Sequence, residues 1–234
     1  MARAWAVVPA AGSGRRMGAE VAKQYLELRG RPLLAHALAP LFACERIEAV
    51  VLVVAADDMR WAAVAPPGAR LLSAVGGAER CHSVLNGLHR LAERAAPDDW
   101  VLVHDAARPC LSGEELDALF LALDNDPVGG LLAVPLADTL KAADGAGRVA
   151  RTVPRDDLWR ALTPQMFRFG LLRQALADAI AHGRLVTDEA AAMEQAGHRP
   201  ALVVGRAANL KVTGPEDLAL AEAVLRRREE ASCA

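Results

Sequence analysis

A glycine-rich loop near the beginning of the sequence could bind phosphate. The apolar run Trp5–Ala10 leads into Ala-Gly-Ser-Gly-Arg-Arg-Met-Gly, and Lys23 follows a few residues later. Glycines let backbone N–H groups approach an anion closely, and nearby cations add charge that the backbone lacks. Two common nucleotide motifs do not fit, because Met17 replaces the third glycine of a dinucleotide fingerprint and no Gly-Lys-Ser/Thr follows. A tight turn with solvated arginines is the alternative interpretation of this loop alone.

Lysine is rare in this chain, which makes its positions informative. The sequence contains only Lys23, Lys141 and Lys211, beside 24 arginines. An ammonium is a compact charge on a flexible stem, and it suits one phosphate oxygen in a tight loop where a planar guanidinium would not fit. We therefore predict that Lys23 and Lys211 contact phosphate.

Three further segments place polar residues next to predicted strands and helices. Asp105 follows an apolar run, where an open α/β sheet binds its ligand, and one carboxylate there suits Mg²⁺, which also takes substrate phosphates. A helix cap or turn is the other interpretation of Asp105. The turn at Gly76 and Gly77 precedes a predicted helix containing Ser83, and it could accept a base edge or a ribose. Thr163 is predicted to lie just before a helix.

Composition limits the classes of protein and partner. With 234 residues, 53% of them hydrophobic, the chain is long enough for one α/β domain with a proper core. A formal net charge of −2 argues against a nucleic-acid partner. No apolar run is long enough to span a membrane, and no signal peptide is expected. Four cysteines without metal-ligand spacing predict reduced thiols in the cytoplasm.

Short apolar runs alternate with helical periodicity, which predicts an α/β fold with a mostly parallel sheet. The predicted strands are 5–10, 49–54, 70–73, 100–104, 130–134 and 201–204, and the predicted helices are 32–44, 57–64, 79–95, 112–123, 169–182, 188–195 and 215–230. Ser112 and Glu115 have the spacing of a capping box.

The segment Pro135–Leu158 interrupts this rhythm. It contains no clear helix, and an Asp-Gly turn between two short alternating runs predicts a hairpin. A hairpin projecting from an α/β core has exposed edges that need a partner or a charged defence. We expect an arm that pairs with a second subunit, and a mobile surface excursion is the alternative.

The order and spacing of the motifs then become recognisable. The chain resembles the 2-C-methyl-D-erythritol 4-phosphate cytidylyltransferase family almost from end to end. The resemblance is carried by P-A-A-G-x-G-x-R-M with K-Q-Y, G-G-x-x-R-x-x-S-V, H-D-A-A-R-P, D-T-x-K, L-W-x-A-L-T-P-Q, T-D-E-A and N-x-K-V-T-x-P-E-D-L. It implies a Rossmann-like nucleotidyltransferase fold in one domain, residues 1–234, with Mg²⁺ as cofactor and a homodimer joined by the arm at about 135–158.

The resemblance also implies roles for individual residues. Arg16 and Lys23 correspond to the catalytic cations that neutralise the triphosphate, and Asp105 corresponds to the metal ligand. The residues implied for the nucleotide site are Ala10, Ala11, Gly12, Gly14, Gly77, Ala78, Ser83 and Lys211. Those implied for the acceptor site are Arg108, Thr139, Arg155 and Thr163, with Lys211 shared. The arm residues are expected to serve the partner's site.

The implied reaction needs no general base. A phosphate monoester is already ionised and attacks the α-phosphorus of CTP, so catalysis is positioning and charge neutralisation. Two alternatives remain open: a cytidylyltransferase for another polyol phosphate, such as ribitol 5-phosphate, and a nucleotide-binding dimer without catalysis. A dehydrogenase fits least well, because the loop lacks the third glycine of the dinucleotide fingerprint.

Overall fold

The computed structural model describes residues 2–12, 22–64 and 70–232. In chain order, the elements are β1 (Ala4–Pro9), a 3₁₀ turn (Lys23–Tyr25), β2 (Glu27–Leu28), β3 (Arg31–Pro32), α1 (Leu33–Ala43), β4 (Ile47–Val54), α2 (Trp61–Val64), β5 (Leu71–Val75), α3 (Arg80–Leu91), β6 (Trp100–Val103), α4 (Gly113–Leu123), β7 (Gly129–Pro135), β8 (Leu140–Ala143), β9 (Val149–Val153), β10 (Trp159–Arg168), α5 (Phe169–Ala181), α6 (Glu189–Gln195), β11 (Ala201–Val204) and α7 (Pro215–Ser232). No helix among these residues combines the length and hydropathy needed to cross a bilayer.

Seven strands form the central sheet in the order β11-β7-β10-β6-β1-β4-β5. Its pairs are parallel except those of β10, which runs antiparallel to both β6 and β7. The mostly parallel α/β architecture predicted from the sequence is therefore confirmed.

Side chains of β1 alternate between the two faces of the sheet, as the period of two in a strand requires. Ala6 and Val8 pack with α1 and α4 on one face. Trp5 and Val7 pack with α3, α5 and α6 on the other. Both faces are covered, which explains why the strands are nearly continuous apolar runs.

One strand of the sheet, β10, differs from the sequence prediction. Thr163 lies inside β10, a strand that the sequence analysis does not predict, and the predicted helix follows that strand as α5, beginning at Phe169. Pro164 has no N–H to donate, and the pairing of β10 with β7 is irregular between Ala161 and Gln165. Because proline is rare inside strands and polar residues interrupt the apolar alternation, the sequence pattern does not predict a strand here.

The segment between β7 and β10 forms the predicted hairpin. Strands β8 and β9 pair antiparallel, and the Asp144 side chain accepts hydrogen bonds from the backbone of Ala146 and Arg148 across the turn. Gly147 takes a positive φ of 76°, which glycine adopts without steric cost. This hairpin and its flanking residues, 136–158, are called the arm below.

The start of α4 also agrees with its local sequence prediction. Ser112 accepts a hydrogen bond from the Glu115 backbone, and the Glu115 carboxylate accepts one from the Ser112 backbone. This reciprocal pair satisfies two N–H groups that the first helical turn leaves without partners.

Close packing of α3 on the sheet depends on Gly87. A Cβ at this position would lie 2.5 Å from Val7 Cγ1 and 3.0 Å from Val53 Cγ2. We predict that Gly87→Ala lowers the free energy of unfolding by about 1–3 kcal/mol, since overpacking outweighs the gain in helix propensity. Urea denaturation measures the change. Gly113→Ala is the control, because a Cβ there meets nothing within 4 Å. Equal stability of the two variants would contradict the packing argument.

Candidate functional site

A cavity of about 540 Å³ opens at the carboxyl ends of β1 and β6. Four segments line it: the loop after β1 with the 3₁₀ turn, the turn before α3, the loop after β6, and the loop before α7. A volume of this size is typical of sites for small molecules. Open α/β sheets bind their ligands at this end, where the carboxyl ends of the parallel strands lie.

The first wall joins the glycine-rich loop to Lys23. Ala10, Ala11, Gly12 and Lys23 all line the cavity. The buried side chain of Gln24 donates a hydrogen bond to the Ala10 carbonyl at 2.8 Å, which fixes the turn that carries Lys23 against the end of β1. Gly14 and Arg16 lie outside the described residues, so their assignment stays a prediction.

The far end of the same turn is held by Tyr25. Its hydroxyl donates to Asp58 Oδ2 at 2.7 Å. Burial, with the adjacent Asp58 carboxylate, raises the pKa of Tyr25, so the phenol remains a donor at neutral pH. The two residues that follow Lys23 are therefore both anchored through their side chains.

The second wall is the turn before α3. Gly77, Ala78 and Ser83 line the cavity, and their role in binding a nucleotide stays a prediction. The Ser83 hydroxyl accepts a hydrogen bond from the Gly77 N–H at 3.1 Å, which sets the shape of the turn. A Cβ on Gly76 would lie 2.3 Å from the Ala11 Cβ, so this glycine lets the two loops touch.

Asp105 lies at the centre of the site and is 7% exposed. Its Oδ1 is 3.0 Å from the Arg80 guanidinium, and its Oδ2 is 2.8 Å from Lys211 Nζ. Burial alone would raise the pKa of Asp105, but these cations, with Arg108 further away, hold it well below its usual value. The carboxylate is therefore ionised and surrounded by positive charge.

Arg80 is itself held from behind. Its Nη1 donates to Glu189 Oε1 at 2.6 Å and its Nη2 donates to Glu189 Oε2 at 3.1 Å. Glu189 is completely buried. Burial raises the pKa of Glu189, whereas the bidentate pair with a guanidinium opposes that shift. Arg80 thus bridges two carboxylates, one facing the cavity and one behind it.

A single carboxylate, Glu115, also organises the loop that carries Lys211. Besides capping α4, its Oε1 accepts hydrogen bonds from the Arg206 backbone and from Asn209 Nδ2. Asn209 also donates to the Thr163 carbonyl, and Val212 donates to the Ala107 carbonyl at 2.8 Å. These bonds bring Lys211 to Asp105 from a loop about a hundred residues later in the chain.

A chain of buried hydrogen bonds fixes the backbone of Asp105. Burial lowers the pKa of His104 to about 4, so its ring is neutral at pH 7. Its Nε2 lies 3.1 Å from the Arg108 carbonyl and its Nδ1 lies 2.9 Å from the Thr163 hydroxyl. The consistent arrangement is that Nε2–H donates to the carbonyl, the Thr163 hydroxyl donates to Nδ1, and the Asp105 N–H donates to Thr163 Oγ1.

The predicted acceptor residues lie in different surroundings. Arg108 is 8% exposed and donates to the carbonyls of Asn209 and Ala161, while its Nε, 3.8 Å from Asp105 Oδ2, has no hydrogen bond. Thr139 and Arg155 are exposed on the arm, and no residue lining the described part of the cavity comes from the arm.

The donor set around Asp105 limits what metal could bind. Among residues 2–12, 22–64 and 70–232, no three His, Cys, Asp or Glu side chains cluster as a ready-made metal site. Asp105 offers one carboxylate in a cavity large enough for phosphates. This fits Mg²⁺, which takes one or two carboxylates and completes its shell with water and substrate oxygens.

Sequence reasoning assigned no role in the site to several contributors, among them Arg80, Glu189, Gln24 and His104. Arg80 and His104 lie within the motifs G-G-x-x-R-x-x-S-V and H-D-A-A-R-P. A cation at the start of a helix, beside a Gly-Gly turn, could have indicated Arg80 as a site residue. Glu189 resembles an ordinary acid in the first turn of a helix. Only the fold brings it to Arg80, 109 residues away.

Comparison with known proteins agrees with this geometry. A family profile described as 2-C-methyl-D-erythritol 4-phosphate cytidylyltransferase matches residues 4–227. The chain is 58% identical to the protein of that name from Dechloromonas aromatica (strain RCB), covering 98% of this chain and 100% of the relative. It is 54% identical to that from Azoarcus sp. (strain BH72), over 97% of this chain and 95% of the relative.

Solved structures give the same result. A crystal structure titled 4-diphosphocytidyl-2C-methyl-D-erythritol synthase superposes with a TM-score of 0.84 at 39% identity, covering 96% of this chain and 99% of that one. The 2-C-methyl-D-erythritol 4-phosphate cytidylyltransferase from Thermus thermophilus superposes with a TM-score of 0.79 at 32% identity, with the same coverage.

The bridging hydroxyl of Thr163 can be tested by an isosteric change. We predict that Thr163→Val lowers the free energy of unfolding by about 1–3 kcal/mol, because His104 Nδ1 and the Asp105 N–H both lose their partner in a buried site. Thr163→Ser keeps the hydroxyl and should retain most of the stability. Urea denaturation of the three proteins makes the comparison. A Val variant as stable as the wild type would show that the hydroxyl chain contributes nothing to the fold.

Proposed function

Because this chain belongs to the 2-C-methyl-D-erythritol 4-phosphate cytidylyltransferase family, we propose that it transfers a cytidylyl group from CTP to 2-C-methyl-D-erythritol 4-phosphate and releases pyrophosphate. The other product is 4-diphosphocytidyl-2-C-methyl-D-erythritol, an intermediate of the non-mevalonate isoprenoid pathway. One observation in the site supports this most directly: Lys23, Arg80 and Lys211 line one cavity around a single buried carboxylate.

The reaction is an in-line displacement at phosphorus. A phosphate oxygen of the acceptor forms a bond to the α-phosphorus of CTP, and the bond from that phosphorus to the bridging oxygen of pyrophosphate breaks. Charge accumulates on the leaving group, where Lys23 and Lys211 can neutralise it. In the proposed assignment Arg16 joins them from the glycine-rich loop.

No side chain of the described site is arranged as a general base. His104 is the nearest histidine to Asp105 in sequence, but it is fully buried and both ring nitrogens are engaged with Arg108 and Thr163. An acceptor phosphate is already ionised at neutral pH, so none is needed. The protein contributes orientation and fixed charge.

The nucleotide is proposed to bind along the two glycine turns. Ala10, Ala11 and Gly12 line the cavity from the loop after β1, and Gly77, Ala78 and Ser83 line it from the turn before α3 and the first turn of that helix. Asp105 is the proposed Mg²⁺ ligand. When bound, Mg²⁺ would neutralise phosphate charge and orient the triphosphate.

The arm is proposed to complete the acceptor site of a second subunit. An isolated two-stranded hairpin is only marginally stable in water. The arm nevertheless exposes most of its residues, including Val149 at 65%. A homodimer in which each arm covers the partner's cavity supplies the missing contacts, and Thr139 and Arg155 would then reach an acceptor phosphate beside Arg108 and Thr163.

The function is tested by measuring pyrophosphate release with CTP, Mg²⁺ and a panel of polyol phosphates. We expect release with 2-C-methyl-D-erythritol 4-phosphate and little with ribitol 5-phosphate. Lys23→Ala should lower kcat about 100-fold or more, because it removes charge stabilisation from a closed site. Release with ribitol 5-phosphate alone would mean that the proposed acceptor is wrong. No release with any acceptor would overturn the catalytic assignment.

The shared site is tested with mixed dimers. Arg155→Ala should raise KM for the sugar phosphate far more than KM for CTP. In a heterodimer of Arg155→Ala and Lys23→Ala subunits, one site carries both defects and the other carries neither, because the arms are exchanged. At a sugar phosphate concentration far below the raised KM, both homodimers should be nearly inactive, and random exchange between them should restore about a quarter of wild-type activity, or about half per heterodimer. No recovery would mean that each arm serves its own subunit.

A further inference from the structure

The contact between Arg80 and Asp105 is backed by a carboxylate that faces away from the cavity. Glu189 holds two nitrogens of the Arg80 guanidinium, and the same guanidinium meets Asp105 Oδ1 with Nε at 3.1 Å. A planar guanidinium bonded on both edges cannot rotate without losing one set of bonds. Asp105 Oδ1 is therefore tied to a rigid group, whereas Oδ2 is paired with a more exposed lysine.

Glu189 is itself positioned by the fold rather than by the cavity. Gln165 Oε1 accepts a hydrogen bond from the Ala190 N–H at 2.8 Å, and Gln165 Nε2 donates to Asp188 Oδ2 at 3.0 Å. Asp188 in turn caps α6. The start of α6 is thus fastened to β10, and this attachment places the Glu189 carboxylate against Arg80.

The two contacts on Asp105 differ in how easily they can be exchanged. Lys211 is 42% exposed and reaches Oδ2 on a flexible stem, while Arg80 is 26% exposed and fastened to Glu189. An ammonium on four methylenes can move to a phosphate oxygen at little steric cost, because its stem is flexible. Oδ2 is consequently the oxygen that can change partners.

We propose that Glu189 is a positioning residue for the reaction: it neutralises and locks Arg80, so that Asp105 presents Oδ2 to a divalent cation while Oδ1 stays bound to the protein. The inference rests on the metal role of Asp105 proposed above. Without the charge of Glu189, Arg80 adds an uncompensated positive charge beside Asp105. That charge repels a divalent cation and attracts a triphosphate.

This electrostatic role predicts two opposite changes in one variant. Glu189→Gln should raise the Mn²⁺ concentration that half-saturates the enzyme with bound α,β-methylene-CTP by about fivefold or more. In the absence of metal, the same variant should bind α,β-methylene-CTP more tightly than the wild type. Electron paramagnetic resonance of Mn²⁺ measures the first quantity, and isothermal titration calorimetry measures the second. General loosening of the structure would weaken both.

Asp99→Asn is the matched control. Asp99 is also a buried carboxylate, and it accepts hydrogen bonds from the Trp5 indole and two backbone N–H groups. It lies just before β6, at the end of that strand opposite to Asp105. This variant should lose stability in urea without changing Mn²⁺ half-saturation. Arg80→Lys supplies a second test, because it keeps the cation and loses the planar fork. Because the fork that holds both carboxylates is lost, it should weaken Mn²⁺ binding.

Asp105→Asn tests the metal role of Asp105 separately from the positioning role of Glu189. If Asp105→Asn binds Mn²⁺ as the wild type does, the metal role of Asp105 is wrong and this inference falls with it. If Asp105→Asn loses Mn²⁺ while folded Glu189→Gln and Arg80→Lys both bind it normally, the metal role stands and the positioning role of Glu189 is overturned.

Discussion

A buried carboxylate requires partners, and Asp105 draws its partners from three parts of the chain. Arg80 comes from the start of α3, Arg108 from its own loop and Lys211 from the loop before α7. An isolated anion at this depth would be strongly unfavourable, so the three segments are held together by the same charge that makes the site useful. The arrangement is cationic overall, which is what a triphosphate needs.

Much of the surrounding structure serves to keep these groups in place. The Thr163 hydroxyl ties β10 to His104 and to the Asp105 backbone, and Glu115 ties α4 to the Lys211 loop. Gln24 fixes the turn that carries Lys23 by its hydrogen bond to Ala10, and Gln165 fixes the start of α6 by its hydrogen bond with Ala190. Two buried atoms of the described residues, Arg108 Nε and Asn209 Oδ1, have no hydrogen bond, and the other members of this network are paired and define one arrangement of the core.

Features encoded within a few residues were predictable from the sequence. The strand before the glycine-rich loop, the capping box of Ser112 and Glu115, and the hairpin of the arm all depend on local patterns. The second use of Glu115, the pair of Arg80 with Glu189, and β10 could not be predicted in this way. The contacts of Glu115 and of Arg80 join residues about 90 or more positions apart, and only the packed sheet brings them together. Strand β10 contains Pro164 and polar residues, so its sequence lacks the pattern typical of a strand.

The arm joins β7 to β10, and these two strands are antiparallel neighbours in the sheet. In topological terms it is an enlarged hairpin connection, closed at its base by the Leu136 N–H donating to the Leu158 carbonyl. Closure entropy grows slowly with loop length, by only about 0.6 kcal/mol for each doubling. Insertions, deletions and substitutions in this connection therefore cost the sheet little stability, whereas removing the charge of Arg80 or Lys211 takes a partner from a buried carboxylate. With respect to stability, the fold thus separates a connection that tolerates changes in length and sequence from a charge cluster that does not.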